Sequence, residues 1–427
     1  MRRVMFLVVV SSVATAAAQT KVAPDAATAD GATPLHWASY RDDMAAADRL
    51  IRAGANVNAA NDLGATPLWI ASVNGSAAMV ARLLAAGANP KAALLAGETP
   101  LMAASRSGSP RAVEQLLAKG ADANARGPRG QTALIWAIAE RHPDVVKALL
   151  AHGGDVHARS EAWSQVMAVP PHGMLEYNRA IPHGGNTALM FAARAGDVES
   201  AKLLVAAGAN VNDQDAWGVS ATAMAAHAGY REVVEFLLAA GANPNADAAG
   251  FSALHAAIMR RDEKMAAALL ARGADANARV RAWTPTRRSS KDFNFPPALV
   301  GATPLWLAAR FTQPEVIRRL IKHGADPLFV HRAEYHAEEG AVRRTQATTA
   351  LMAAVGMGEG TAWVAVERRE RERLMLETVK LAVELGVDVN AANTDGRTAL
   401  AAATAAKQET IVAFLLEKGA RSGRTQN

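Results

Sequence analysis

The stretch Thr66-Pro67-Leu68-Trp69-Ile70-Ala71-Ser72-Val73-Asn74-Gly75, followed by Val80-Ala81-Arg82-Leu83-Leu84 and Gly87-Ala88-Asn89-Pro90, decides how this chain is read. Thr66 stands where a hydroxyl caps the free N–H groups of a helix, and Pro67 fits the first helical position. Leu68, Ala71 and Ser72 follow at helical spacing, and the small residues let a neighbouring helix come close. Asn74-Gly75 breaks the helix. Val80, Leu83 and Leu84 then mark one face of a second helix, and Gly87 falls where a helix end takes a left-handed residue. One such helix–turn–helix cannot bury its apolar face alone, so copies must stack.

The copies are present. A Thr or Ser followed by Pro or Ala recurs at Thr33, Thr66, Thr99, Thr132, Thr187, Ser220, Ser252, Thr303, Thr349 and Thr398. A Gly after an apolar helix recurs at Gly54, Gly87, Gly120, Gly153, Gly208, Gly241, Gly273, Gly324, Gly386 and Gly419. Both markers count ten units, most of them spaced near 33 residues. Leu83, Leu116, Leu149, Leu204 and Leu237 each precede the Gly of their unit by four and are expected on buried faces.

Thr33-Pro34-Leu35-His36-Trp37-Ala38-Ser39 and Gly54-Ala55-Asn56-Val57-Asn58 resemble the ankyrin repeat. The resemblance implies an all-α solenoid of about ten helix–turn–helix units with projecting hairpin fingers. It covers residues from about 30 to about 420, and the array is similar to secreted bacterial ankyrin proteins with long finger inserts. The motif His stands only at His36 and His255; elsewhere its place holds Trp69, Met102, Ile135, Met190, Ala223, Trp306, Met352 and Ala401. These departures bear on the hydrogen bonds between neighbouring units.

The period breaks four times. From Gly54 to Thr66 the interval is 12 residues, but it is 34 from Gly153 to Thr187, 30 from Gly273 to Thr303 and 25 from Gly324 to Thr349. These three inserts, near 160–183, 280–299 and 328–346, fall at finger positions and should project from one edge. The first holds Trp163, Val166, Met174 and Tyr177, and the second Trp283, Phe293 and Phe295 with Arg279, Arg281, Arg287, Arg288 and Lys291. Solvated loops rarely carry so many large apolar groups. Two readings stay open: the inserts cover exposed core, or they bind a partner. The fourth insert, near 357–373, lies inside the ninth unit and reads as a lengthened, solvated second helix with Glu367 and Arg371 at i, i+4 spacing. Gly356-Met357-Gly358-Glu359-Gly360 reads as a flexible turn opening it.

Composition bounds the rest. Cysteine is absent, which excludes disulfides, thiolate metal sites and cysteine nucleophiles. Half of the residues are hydrophobic and only 5% aromatic, which suits small packed helices. No apolar run reaches the ~20 residues of a spanning helix. Met1-Arg2-Arg3, an apolar stretch from Val4 to Val13 and Ala16-Ala17-Ala18 before Gln19 read as a secretory signal peptide over 1–18. A linker over 19–29 and the array over 30–427 follow, and the protein is expected in the periplasm or outside the cell. Lys and Arg exceed Asp and Glu by six, too small an excess to make a basic stripe by itself, so nucleic acid is not the expected partner.

Catalytic motifs are hard to find. Gly218-Val219-Ser220 and Gly250-Phe251-Ser252 lack the second glycine of a nucleophile elbow, and both serines are accounted for as helix caps. On a helix, His331 and Glu334 would share a face with His336 off it, which matches no zinc signature. No catalytic residue, metal site or cofactor is expected.

The resemblance implies two exposed residues after the small pair of each first helix. In the first eight units these are Tyr40/Arg41, Val73/Asn74, Arg106/Ser107, Ala139/Glu140, Arg194/Ala195, His227/Ala228, Met259/Arg260 and Arg310/Phe311. Five of the sixteen are Arg, whose fork pairs carboxylates bidentately. The expected function is a non-catalytic scaffold that binds an acidic segment of a protein in a concave groove and on the inserts. Arg106, Arg194, Arg260, Arg310, Trp163 and Trp283 are the expected contact residues. The alternatives are an enzyme or metal protein with a site built by the inserts, and a binder of anionic glycan or nucleic acid.

Overall fold

The computed structural model describes residues 23–167, 178–284, 293–336 and 343–421. The signal peptide read over 1–18, Met174, Tyr177, Arg287, Arg288 and Lys291 lie outside the described residues.

Ten helix pairs follow the ten markers. They are α1 (Pro34–Tyr40) and α2 (Met44–Arg52), α3 (Pro67–Val73) and α4 (Ala77–Ala85), α5 (Pro100–Ser107) and α6 (Pro110–Ala118), α7 (Ala133–Ala139) and α8 (Pro143–Ala151), and α9 (Ala188–Ala195) and α10 (Val198–Ala206). Then come α11 (Ala221–Ala228) and α12 (Arg231–Ala239), α13 (Ala253–Met259) and α14 (Glu263–Ala271), α15 (Pro304–Arg310) and α16 (Pro314–Lys322), α17 (Ala350–Ala354) and α18 (Arg368–Glu384), and α19 (Ala399–Ala405) and α20 (Glu409–Glu417). First helices stack on first helices, and from α4 onward second helices stack on second helices, which gives two layers around one continuous core. Leu83, Leu116, Leu149, Leu204 and Leu237 are all fully buried in it.

Two devices join the units. In the first, a finger Asn reaches the next unit. Asn245 Nδ2 donates to the carbonyl of Gly273, and its Oδ1 accepts the N–H of Asp275. Asn58, Asn124, Asn212, Asn277 and Asn390 repeat the arrangement. Asp25 stands one period before Asn58 and accepts the N–H of Asn56. The described part of the expected linker is therefore tied to the first unit.

The second device is the motif histidine. In unit seven the N–H of Ser252 donates to His255 Nδ1 at 3.1 Å, so His255 Nε2 carries the hydrogen and donates to the carbonyl of Ala278 at 3.1 Å. His36 makes the same link to Ala65. Where the His is replaced the link goes, but Thr66, Thr99 and Thr303 still cap by accepting the N–H groups of Trp69, Met102 and Trp306, whereas Thr187 of unit five makes no such bond. Trp306 restores a link of its own, donating from its indole N–H to Thr348 Oγ1 at 3.2 Å.

His255 is fully buried, and burial pulls its imidazole down to about 4. The unfolded chain binds this proton near 6.5, so between those values the unfolded state holds more protons and stability rises with pH. This contribution is complete above about pH 6.5 and is lost as pH falls toward 4, with an upper size of roughly 3 kcal/mol. Urea midpoints measured from pH 7 to pH 4 should fall steeply for the parent chain and less steeply for His255→Gln. Equal slopes would remove His255 as the cause.

The first and third inserts supply the strands found among the described residues. β1 (Trp163–Met167) pairs antiparallel with β2 (Arg179–His183), with Trp163 opposite His183. β3 (His331–His336) pairs antiparallel with β4 (Arg343–Thr348), with His331 opposite Thr348. The segment of His331 and Glu334 is thus a strand, not a helix. His331 is buried and its Nε2 bonds the carbonyl of Ala298. The fourth insert lengthens the second helix of unit nine to 17 residues, against nine in the others. Glu367 does not pair with Arg371 as its spacing suggested. It caps the helix by accepting the N–H of Glu370, while Arg371 donates to the carbonyl of Val366. The exposed face is held by Arg373 with Glu370 and Glu377, and by Arg368 with Glu372.

Candidate interaction surface

The fourth residue after each capping Thr or Ser traces the outer stripe of the first-helix layer. In units one to five it is Trp37, Ile70, Ala103, Trp136 and Phe191; all but Ala103 are partly exposed. In units six to nine it is Met224, Ala256, Leu307 and Ala353, none more than 2% exposed. The stripe changes from open to covered at α11. The pairs expected to be exposed change one unit later: Tyr40 is 61% exposed and Val73 37%, and His227 and Ala228 of unit six are still partly exposed, whereas Met259 is 0% and Phe311 5%.

The chain covers itself. Phe293 and Phe295 of the second insert and Trp363 of the fourth meet over α11 and α13. Phe293 packs on His227 at 4.1 Å and Phe251 at 5.0 Å, and Phe295 packs on Phe251 at 4.8 Å and Trp363 at 5.3 Å. Trp363 is fixed by its main chain and its ring: its N–H donates to the carbonyl of Met259 at 2.8 Å, and its indole N–H to that of Asn294 at 3.1 Å. Thr284 accepts the N–H of Phe295 and donates to the carbonyl of Phe293. An exposed apolar face over units six to nine would be costly, and these inserts remove it.

The Gly-rich turn closes the cover and is pressed down rather than free. Gly358 has a φ of +91°, and a Cβ there would fall 3.0 Å from the Trp306 ring, so only glycine fits both the backbone and the space. Met357 is buried. Tyr335 of β3 forms a small second core with Ala298 and Ala333, which joins the third insert to the second. Burial and the neighbouring Glu359 carboxylate raise the Tyr335 phenol above its ordinary value.

The six expected contact residues fall into different settings. Arg194 is exposed at the end of α9, near the carboxyl of Asp215, which burial raises and Arg194 pulls back down. Arg106 pairs with Glu98 at 2.9 Å and lies over the Trp136 ring at 5.3 Å. Burial raises the Glu98 carboxyl, and Arg106 opposes that rise. Arg260 and Arg310 are partly buried and committed to the chain itself. Arg260 donates to the carbonyl of His227 at 2.8 Å, and Arg310 to that of Gly358 at 3.2 Å. Burial lowers the Arg310 guanidinium from its ordinary value. Trp163 is 42% exposed and stacks on His183 at 4.5 Å. Trp283 is partly buried beside Thr284 at the root of the cover. The two other described arginines of that insert are engaged as well: Arg279 lies over Phe329, and Arg281 pairs with Asp247.

The structure brings together Phe293, Phe295, Trp363 and His227, a cluster the sequence reading missed. A Trp placed just after a run of glycines was the available signal, because glycines let a backbone approach closely and an aromatic ring needs something to cover. Among the described residues no group of three or more His, Asp or Glu could hold a metal ion, and no helix is long and apolar enough to cross a membrane.

A two-layer stack of helix pairs with fingers at the joints defines a repeat solenoid. The sequence model described as ankyrin repeats in three copies matches residues 8–93, 86–160 and 189–280, and the single ankyrin repeat model matches 300–332. The chain belongs to the ankyrin repeat family. No curated protein matches it in sequence. It is similar to the solved ankyrin repeat domain of Bcl-3, a member of the IkappaB protein family, at 28% identity over 56% of this chain and 99% of that one, with a TM-score of 0.45. It is also similar to the ankyrin repeat domain of human ASB11, at 28% identity over 56% of this chain and 98% of that one, with a TM-score of 0.46. Ankyrin repeat domains generally mediate protein–protein interaction and are typically non-catalytic scaffolds.

Proposed function

We propose that this chain is a non-catalytic scaffold that takes a protein partner on the first-helix face of units one to five. Arg194 is the cationic contact, Arg106 is held by Glu98 over the Trp136 ring, and the Trp163 hairpin is a flank. The observation that supports this reading is the change of the outer stripe at α11, from part-exposed Trp37, Ile70, Trp136 and Phe191 to fully covered Met224, Ala256 and Leu307. Aromatic residues and Arg dominate interface energetics, and this half of the face carries both. Arg260 and Arg310 hold the cover instead.

The test uses a partner captured from the native envelope fraction and measured at two salt concentrations. Arg194→Glu should weaken binding and flatten its salt dependence, because one charge-assisted contact is removed. Arg260→Glu should act on stability, since its guanidinium is tied to the His227 carbonyl. An Arg194→Glu variant that binds as the parent does would remove the cationic contact from the reading.

A further inference from the structure

We infer that a cleft between α14, α16 and α18 binds a small monocarboxylate that carries an O–H or N–H donor beside the carboxylate and an apolar remainder. The inference concerns the second helices and is independent of the proposed partner face. The cleft follows from a break in the repeat. In the other units two or three residues join the two helices; in unit nine residues 355–367 do. Elsewhere the turn of one unit bonds the turn before it: Asn74 reaches the carbonyls of Ser39 and Tyr40, His142 that of Arg106, and Gln313 that of Ile258. Unit nine has no such short turn. Arg261 of unit seven reaches forward instead and donates to the carbonyls of Phe311 and Thr312. The N-terminal half of the long α18 forms the opposite wall through Arg373 and Leu374, and a cleft of about 260 Å³ lies between.

The charges around the cleft are matched except at one point. Glu263 pairs with Arg319, Glu315 with Arg318, and Glu377 with Arg318 and Arg373. Arg261 has no carboxylate partner among the described residues, and its two bonds to carbonyls leave part of its fork unused. Burial and Arg371 lower its guanidinium from the ordinary value, and Glu370 opposes them. The helix α16 starts beside it. Gln313 makes no cap bond there, so the first-turn N–H groups of Glu315 and Val316 have no side-chain acceptor. Gln313, 6% exposed, lines the cleft; its Nε2 is committed to Ile258 at 2.9 Å, and its Oε1 has no partner. Donors for an anion next to an acceptor call for a ligand that donates beside its carboxylate. Pro314, Val316 and Leu374 supply the apolar wall. The rim carboxylates disfavour a dianion such as phosphate. The volume lies below the ~300–1,000 Å³ of drug-sized pockets, so the ligand is small.

The test is calorimetric titration of the full chain with 2-hydroxy-4-methylpentanoate, leucine, 4-methylpentanoate and inorganic phosphate. At least one of the first two should bind saturably at a single site, and which one binds tells whether the donor is O–H or N–H. The acid without a donor should bind more weakly, and phosphate should not bind. Arg261→Gln removes the cation, and Leu374→Phe crowds the cleft without touching a polar group. Each should weaken binding at least about tenfold, the loss of one charge-assisted contact or of the space for the ligand. Arg261→Gln also frees two carbonyls and costs stability, so Leu374→Phe, with its thermal midpoint held at the parent value, is the deciding variant. No saturable binding of either donor-bearing acid would overturn the inference. So would binding that Leu374→Phe leaves unchanged, or phosphate binding in preference to both acids.

Discussion

Replacing Trp306 with alanine should loosen the whole cover while leaving units one to five intact. The ring is 1% exposed, its N–H donates to Thr348, and it packs at a tilt on His331 at 4.3 Å. Gly358 rests against its far edge. The substitution removes a large buried side chain, at about 3–5 kcal/mol. It also removes the bond that replaces the missing histidine link between units eight and nine. Amide exchange should accelerate across β3, β4 and residues 356–363, and remain as in the parent between residues 34 and 151 and between 188 and 206. Unchanged exchange in 343–363 would mean that the inserts hold together without Trp306.

Leu204→Ala should show the opposite geography. Leu204 is fully buried on α10, and its truncation should cost about 2–5 kcal/mol. Coupling in a solenoid runs mainly between neighbours, so units four to six should lose protection first. The joint between units four and five sharpens this expectation. His157 stands there in place of the clamping Asn, and Arg159 substitutes for it by donating to the carbonyls of Gly185 and Gln214. Equal loss of protection from residue 34 to residue 417 would contradict a quasi-linear array.

The repeats could be read from the sequence because each unit carries its own punctuation. Thr-Pro at one end and Gly at the other locate both helices by local chemistry alone, and the structure sets all ten pairs between those marks. The inserts could be located by counting, but their destination could not. Whether Phe293 faces solvent or His227 depends on a segment some seventy residues further on, Gly358 to Trp363, and no local signal joins the two. The second insert covers core through Phe293 and Phe295, and the opening of the fourth, expected as a flexible turn, covers it through Trp363. The same non-local packing separates the arginines. Arg194 and Arg310 hold equivalent places in their repeats, yet one is exposed and the other lies under the Gly358 turn. On helical spacing the His331–His336 segment matches no metal motif. Antiparallel pairing with Arg343–Thr348 decides its conformation instead.

The division of the face at α11 also sets how freely the molecule can change. Met259 answers to two sets of neighbours, the core that buries its side chain and Trp363 of the fourth insert, whose N–H its carbonyl accepts. A new side chain there must suit both at once, so accepted variants will be few and will tend to come in compensating pairs. Tyr40, Val73 and Arg194 are exposed, with Tyr40 meeting the array by its ring against Trp37. They can be exchanged one at a time with little effect on folding, since surface substitutions usually fall within about 0.5 kcal/mol. A lineage of such chains can therefore diversify what it recognises on units one to five while the covered units keep the scaffold in register.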